Sequence, residues 1–214
     1  SNITEQMLFT SGTLISYRDT VQIIERAVAL SPIAHIGFSV GLKQSPSSLG
    51  ILGHAVNSCS TVEDVLNMSV KYQRVSSTLT QARWYKKDEL IYWKLTTPIT
   101  LTNILPCIIE EEFVILYKLF EMLTGKQVQI VEIHFQYPEP EYVHLYQEYF
   151  NCPLYFSAPE NSVVINSEIL TTPILQANPL SIDAAERMCI NFLEKHPIIE
   201  DMEICVRQLI LGEE

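Results

Sequence analysis

The stretch VQIVEIHFQYPEPEYVHLYQEYFNCPLYF, residues Val128–Phe156, predicts a strand, a helix and a second strand. Apolar and polar residues alternate over 131–136, which is the period of a strand with one buried face. Pro138 and Pro140 end that strand, and Pro140 suits the first turn of a helix. Asn151 and the proline at 153 then end the helix. Within the helix, one aromatic stripe recurs at spacings of three and four: Tyr142, Leu145, Tyr146 and Tyr149.

The same periodicities predict further elements on both sides of this stretch. Residues 83–95 form a hairpin, with Ile91, Trp93 and Leu95 on one face, and 163–165 form a last strand. The segment 35–42, HIGFSVGL, is expected to be extended or irregular because two glycines interrupt it. Helices are expected at Tyr17–Leu30, Ser48–Asn57, 61–72, Asn103–Thr124, Ile182–Glu194 and Ile199–Leu211.

Local signals also place helix ends and exposed faces. Asp19 or Thr20 is expected to cap the first helix, and Ser60 with Glu63 has the spacing of a capping box. Gly125 suits a helix end because glycine tolerates positive φ. The acidic run at 110–112 is interpreted mostly as a solvated face of the long central helix.

This order of elements favours an α+β fold with N-terminal helices, then an α/β sandwich with a mostly antiparallel or mixed sheet, then C-terminal linker helices. A doubly wound parallel sheet would need helices between most strands, which this pattern lacks. We expect three parts: a helical part at 3–78, the sandwich at 79–175 and the C-terminal helices at 176–214.

The composition narrows the possible functions. The formal net charge of −11 repels a phosphate backbone, so we expect no DNA contact by these residues. The five cysteines are widely spaced and odd in number, which favours reduced thiols over a disulfide framework. No apolar run reaches the roughly 18 residues of a membrane span, so a soluble, cytoplasmic protein without membrane contact is expected.

The sequence offers few residues for chemistry. It contains none of the usual nucleotide-binding, zinc-protease or serine-hydrolase motifs, so no catalytic residue, metal site or cofactor is expected. Glu132 and His134 share a strand face and could form an acid/base pair or two metal ligands, although a polar sheet edge or a buried, hydrogen-bonded His is the favoured interpretation. Trp84 and Trp93 could line an apolar pocket or simply fill a half-buried hairpin. These four residues are the candidate ligand-binding residues.

A longer pattern resembles the N-terminal effector domain of the arabinose-binding-like group of AraC-type bacterial transcription regulators. Residues 49–77 follow the family pattern LGxLGxAxxxxxTLxxAL and the tyrosine after it, at Leu49, Gly50, Leu52, Gly53, Ala55, Thr61, Leu66 and Tyr72. The second pattern, VxFxHxxPxxxxxYxxxFxCPVxFxxxxNxLxFxxxxLxxPL, is matched at Phe135, Pro140, Tyr146, Phe150, Cys152, Pro153, Phe156, Asn161, Leu170 and Pro173. Tyr137 departs from it, since the family often has His there.

The resemblance implies a non-enzymatic domain that senses an unknown small-molecule effector and forms a homodimer. It also implies control of a C-terminal helix-turn-helix domain, expected to be missing here, through which the full-length regulator would contact promoter DNA. Arabinose as the effector does not follow from the family label. Two alternatives stay open: a dimerisation module without a small ligand, and an enzyme or metalloprotein that uses Glu132 and His134.

Overall fold

The computed structural model describes residues 15–76, 79–98, 100–101 and 103–196. The helices in these ranges are α1 Tyr17–Leu30, α2 Ile36–Lys43, α3 Gly50–Ser58, α4 Val62–Lys71, α5 Leu105–Thr124, α6 Val143–Phe150 and α7 Pro179–Lys195. The strands are β1 Gln81–Lys87, β2 Leu90–Thr96, β3 Ile130–His134, β4 Leu154–Tyr155 and β5 Asn161–Asn166. Short 3₁₀ helices occupy Pro46–Leu49, Gln73–Ser76 and Ser167–Thr171. None of the helices in the described part is long and apolar enough to cross a membrane.

The five strands form one mixed sheet in the order β1-β2-β5-β3-β4. All neighbouring pairs are antiparallel except β3 and β4, which are parallel because α6 carries the chain back between them. The predicted α+β class with a mixed sheet is therefore confirmed, as is the strand-helix-strand order of 128–156.

The strand register gives the sheet two different faces. One row across it consists of residues that face the helices: Trp84, Trp93, Val163, Ile133 and Leu154. The adjacent row points to the opposite face: Arg83, Lys94, Ser162, His134 and Tyr155. Facing residues on neighbouring strands lie on the same side of a sheet, so these rows define an inner, helix-covered face and an outer face.

The larger hydrophobic cluster takes residues from all three predicted sequence parts, for example Val62, Ile133 and Cys189. The three parts thus share one core, and their division stays a prediction about sequence organisation. A smaller cluster lies under α1 and contains Leu79, Leu101, Ile104 and Ile108.

The prediction of an irregular segment at 35–42 is wrong, because most of it forms α2. Its glycines lie against α5. A Cβ on Gly37 would come 2.0 Å from the carbonyl oxygen of Cys107, and one on Gly41 would come 2.8 Å from Cβ of Val114. The glycines therefore let two helices approach closely rather than interrupting one of them.

Two predicted caps are also wrong. Ser16, not Asp19 or Thr20, caps α1, since its Oγ accepts from the Asp19 N–H at 3.1 Å. The capping box of α4 is Thr61 with Asp64, one residue later than predicted. It is displaced because the carbonyl of Ser60 accepts from Ile174 and Thr61 bridges to the neighbouring Pro173, which keeps both residues extended.

Other predicted ends are confirmed with small differences. Gly125 ends α5 at φ 69°, and Asn151 ends α6 at φ 48°. Helix α6 begins at Val143, so Pro140 lies in the turn before it rather than in its first turn. The predicted helix Ile199–Leu211 lies outside the described residues.

Candidate functional site

The structure separates the four candidate ligand residues into two pairs. Trp84 and Trp93 face each other across the hairpin on the inner face, where Trp93 is buried. Glu132 and His134 lie on the outer face, because the intervening Ile133 points into the core. One small pocket cannot contain all four side chains, and their role in binding stays a prediction.

On the outer face, Glu132 and His134 form a local pair. His134 Nε2 lies 3.0 Å from Oε1 of Glu132, and its ring stacks on Tyr155 with centroids 4.9 Å apart. Both side chains are about one-third exposed or less. Within the ranges that the structure describes, no three His, Cys, Asp or Glu side chains are grouped so as to hold a metal ion.

On the inner side, Trp84 forms part of an open cleft of about 650 Å³ between α4 and β1. The other lining residues are Asn67, Val70, Lys71 and Arg83. The cleft therefore combines an aromatic ring, an amide and two residues with cationic side chains. Those are the groups that hold a small polar ligand in a partly apolar site.

The cleft lies along one edge of the sheet, since β1 is a terminal strand among the residues that the structure describes. The side chain of Gln73 pairs with the backbone of Ala82 on this edge, accepting from its N–H at 2.6 Å and donating to its carbonyl at 3.4 Å. Backbone groups of alternate residues point the same way in an antiparallel strand. The N–H and carbonyl of Trp84 therefore point out of the same edge, towards the cleft.

Lys71 links this cleft to α7. Its Nζ lies 2.7 Å from Oε1 of Glu186, which also accepts a 2.7 Å hydrogen bond from the hydroxyl of Tyr72. The bonds from Lys71 and Tyr72 lower the pKa of the Glu186 carboxyl below its ordinary value. Ala185 and Cys189 bury the neighbouring surface of α7 in the core. Ile182, Phe192 and Leu193 also pack against the core, so α7 is held by the polar contacts of Glu186 and by an apolar face.

A buried carboxylate joins α2, α5 and α6, and the sequence interpretation of 110–112 as a solvated face is wrong for it. Glu110 is only 2% exposed. Its Oε2 accepts from the Phe38 N–H at 3.1 Å, and its Oε1 accepts from the hydroxyls of Tyr142, at 2.7 Å, and Tyr146. Tyr137, where the family often has His, adds its hydroxyl 3.3 Å from that of Tyr146. Burial raises the pKa of Glu110, and the three donors partly offset the shift.

The two adjacent glutamates also have partners on other elements. Glu111 accepts from the side-chain amide of Gln44 at 3.2 Å, and Glu112 accepts from the hydroxyl of Thr80 at 3.2 Å. Burial raises the pKa of Glu112 to about 7. The sequence did contain one signal for Glu110: it precedes the core residue Phe113 by three positions, which places the two on the same side of a helix.

The four described cysteines are free thiols: Cys59, Cys107, Cys152 and Cys189. Burial raises the pKa of Cys59, Cys107 and Cys152 to about 12, so these thiols stay protonated. The fifth, Cys205, lies outside the described residues.

Comparison with known proteins identifies the family. The model of the arabinose-binding domain of AraC transcription regulators, N-terminal, matches residues 1–174. The chain belongs to this family. The Ornithine utilization regulator of Pseudomonas aeruginosa is 26% identical over 212 residues, which is 99% of this chain and 62% of that protein.

A solved structure shares the fold of this AraC-family domain. The transcriptional regulator CdpR from Pseudomonas aeruginosa matches with a TM-score of 0.68 at 19% sequence identity. The match covers 82% of this chain and 57% of that chain. The AraC-family domain thus spans roughly three-fifths of either relative, and α7 follows the part that the family model matches.

The chain is therefore the effector-binding domain of an AraC-type regulator, as the sequence patterns predicted. Its family and its curated relative are transcription regulators, which points to a non-enzymatic role. That role suits the geometry, which offers a ligand-sized cleft and a helix tied to its wall.

Proposed function

We propose that this domain senses a small-molecule effector and passes the signal through α7 to a helix-turn-helix DNA-binding domain joined to it in the full-length regulator. The observation that carries the proposal is the contact of Lys71 with both the cleft and Glu186 of α7. A molecule in the cleft and the position of α7 are thereby coupled through one side chain. The protein would act in the cytoplasm, where it would reach promoter DNA through the second domain.

The polar part of the attachment of α7 is weak enough to be shifted by a ligand. Its polar tie involves the exposed side chain of Lys71, and exposed ion pairs contribute only about 0.2–1 kcal/mol. Coupling between two sites in an allosteric protein is typically about 1–3 kcal/mol. A ligand that favours one arrangement of α7 by that amount would change its population several-fold or more.

The same helix offers a surface for a second copy of the chain. Leu180 is 93% exposed, and Met188 and Ile190 are also exposed on α7. Met188 and Ile190 are two positions apart, so they flank the buried stripe of the helix on opposite sides, and exposed apolar side chains can contribute to protein contacts. We propose a homodimer that uses α7, so that ligand binding also changes how two DNA-binding domains are spaced.

A thermal-shift screen of the 214-residue chain tests the sensor function. The panel contains amino acids, amines, fatty acids, organic acids and sugars, and amino acids come first because one relative is named for ornithine utilization. A ligand at one hundred times its Kd adds about 2.7 kcal/mol to the free energy of unfolding. At least one compound should raise the Tm reproducibly.

The alternative is a dimerisation module without a small ligand, which the exposed apolar residues of α7 also favour. Sedimentation equilibrium separates the two functions. A constant dimer together with no Tm response to any class of compound would favour the alternative and contradict the sensor proposal.

A further inference from the structure

We propose that the cleft between α4 and β1 binds a small organic carboxylate, whose apolar part lies on Trp84 and whose carboxylate pairs with Lys71 in competition with Glu186. The inference rests on the proposed sensor function, because it names the site and the chemical class of the effector. It also predicts how the signal begins: a bound ligand weakens the attachment of α7 to the rest of the domain.

The local charge favours an anion in a protein that is acidic as a whole. Residues 71–87 carry five of the 14 Lys and Arg residues and no Asp or Glu, although the formal net charge of the chain is −11. Two of these five cationic residues, Lys71 and Arg83, line the cleft, and no acidic residue in the described part of the chain lines it. A cleft lined by one sign of charge attracts the opposite sign, so anions are concentrated here and repelled elsewhere.

Lys71 is available to a ligand because its present partner is replaceable. Its side chain is 62% exposed and that of Glu186 is 32% exposed. Water and salt screen such a pair, so exchanging one carboxylate for another costs little. Glu186 itself shows that a carboxylate can lie 2.7 Å from this ammonium.

Trp84 supplies the apolar half of the site. It is half-buried beside Val70, and its partner across the hairpin is the buried Trp93. A large aromatic face of this kind holds planar or aliphatic groups, and indole adds the strongest dispersion contact of the side chains. The outward-pointing backbone N–H of Trp84 and the amide of Asn67 offer further donors to an anion.

The size of the cleft sets an upper limit on the ligand. Pockets for small metabolites are typically about 300–1,000 Å³, and this cleft has about 650 Å³. It therefore admits an aromatic or medium-chain carboxylate with room for water at its open side. A macromolecular anion would need a longer basic surface than one strand and one helix end.

Binding would loosen α7 in a defined way. When a ligand carboxylate pairs with Lys71, Glu186 keeps only its hydrogen bond from Tyr72. The apolar contacts of α7 with the core, including those of Ala185 and Cys189, remain. The ligand thus shifts α7 towards the arrangement in which it is less firmly attached. Glu186 is a positioning residue for the helix and a competitor for the ligand.

Nuclear magnetic resonance titration of the ¹⁵N-labelled chain tests the site directly. The probes are indole-3-acetate, benzoate and hexanoate, each beside its own neutral primary amide, up to about 10 mM, which is ten times a weak Kd of about 1 mM. At least one acid should shift the backbone amides of Asn67, Lys71 and Trp84. Its Kd should be about three- to fivefold lower than that of its amide, because only the acid forms an ion pair with Lys71.

Three variants test which side chains contribute to binding of the acid. Lys71→Gln should weaken binding of the acid about three- to fivefold, the upper range for an ion pair of an exposed side chain. Lys86→Gln, which removes an exposed cation from β1 that does not line the cleft, should change it less than about twofold. Glu186→Gln should tighten it about two- to fivefold, because it removes the competing carboxylate.

Three results would overturn the inference: equal affinity for acid and amide, shifts confined to another surface, or no response to any of the acids. A metabolite from the thermal-shift panel that binds elsewhere would refute this site while leaving the sensor function intact. No binding by any compound in either experiment would refute both.

Discussion

The hydroxyl of Tyr72 donates a 2.7 Å hydrogen bond to Oε1 of Glu186 on α7. Tyr72 is buried, whereas Lys71, which shares the same acceptor, is exposed. Burial shields the tyrosine bond from water, so it contributes more to the attachment of α7 than the ion pair does. The two donors therefore have separable roles: Tyr72 holds α7 in place, and Lys71 can exchange Glu186 for a ligand.

Replacing Tyr72 by Phe removes the hydrogen bond to Glu186 without changing the packing of the ring. We expect the free energy of unfolding to fall by about 1 kcal/mol and hydrogen exchange in 179–195 to accelerate. Chemical denaturation and exchange mass spectrometry measure these changes. Tyr155→Phe, at a half-exposed ring on the outer sheet face, is the control. Equal exchange rates in α7 for the two variants would show that the Tyr72 bond does not hold the helix.

Replacing Glu110 by Ala should destabilise the domain by about 3 kcal/mol. The change leaves the Phe38 N–H without its acceptor in the core and leaves the Tyr146 hydroxyl only its 3.3 Å contact with Tyr137, and each buried unpaired group costs about 1–3 kcal/mol. Glu121→Ala on the exposed side of the same helix should change stability by less than about 0.5 kcal/mol. Urea denaturation of both variants provides the measurement, and similar losses in the two would contradict a buried role for Glu110.

Glu112 should make stability depend on pH between about 4.5 and 7. Burial raises the pKa of this carboxyl in the folded state from 4.5 to about 7, so the folded protein binds the proton more tightly than the unfolded chain. Stability from this group is therefore present below pH 4.5 and is lost as the pH rises through the window. Glu112→Gln does not titrate and can still accept the hydrogen bond of Thr80.

The pH effect is read as the difference between wild type and Glu112→Gln. The variant should gain stability relative to wild type from pH 5 to pH 8, because only the wild type must ionise a buried carboxyl. Denaturation midpoints at the two pH values give the difference. A difference that is the same at both pH values would mean that Glu112 ionises freely in the folded protein.

A methyl group at position 37 should separate α2 from α5. In an ordinary helix Gly→Ala stabilises by about 1 kcal/mol, but here the Cβ would lie 2.0 Å from the Cys107 carbonyl oxygen. Overpacking of this kind costs about 1–3 kcal/mol or more, so Gly37→Ala should lower the Tm. Val40→Ala, an exposed position in the same helix, should leave the Tm nearly unchanged. A higher Tm for Gly37→Ala would show that the helices can move apart freely.

The sequence predicted those parts of the fold that depend on local pattern. Alternation identified β1, β2 and β3, and helical spacing identified α1 and α5, since each element buries one regular face. Helix α2 escaped prediction because its glycines are explained only by α5, about 70 residues away. The cap of α4 was displaced for a similar reason, because pairing with Pro173 depends on tertiary structure.

The candidate site was predictable only in part. The hairpin register follows from its short turn, which places Trp84 opposite Trp93. In the structure the two tryptophans lie on the same face of the sheet as Ile133, whereas Glu132 and His134 lie on the other face. The sequence could not show this, because β5 pairs with both β2 and β3 and its register decides which of their residues share a face. The groups that donate hydrogen bonds to Glu110 come from α2 and α6, so the local sequence pattern could not predict that Glu110 is buried.

The most direct test of the account follows the α7 helix while a ligand binds. Hydrogen exchange of residues 179–195 is compared with that of α5, with and without a compound that raises the Tm. The account predicts that exchange in α7 changes at least about fivefold relative to α5, because the effector alters the attachment of that helix. A ligand that stabilises the domain while exchange in both helices changes in parallel would contradict the role of α7 as the element that carries the signal.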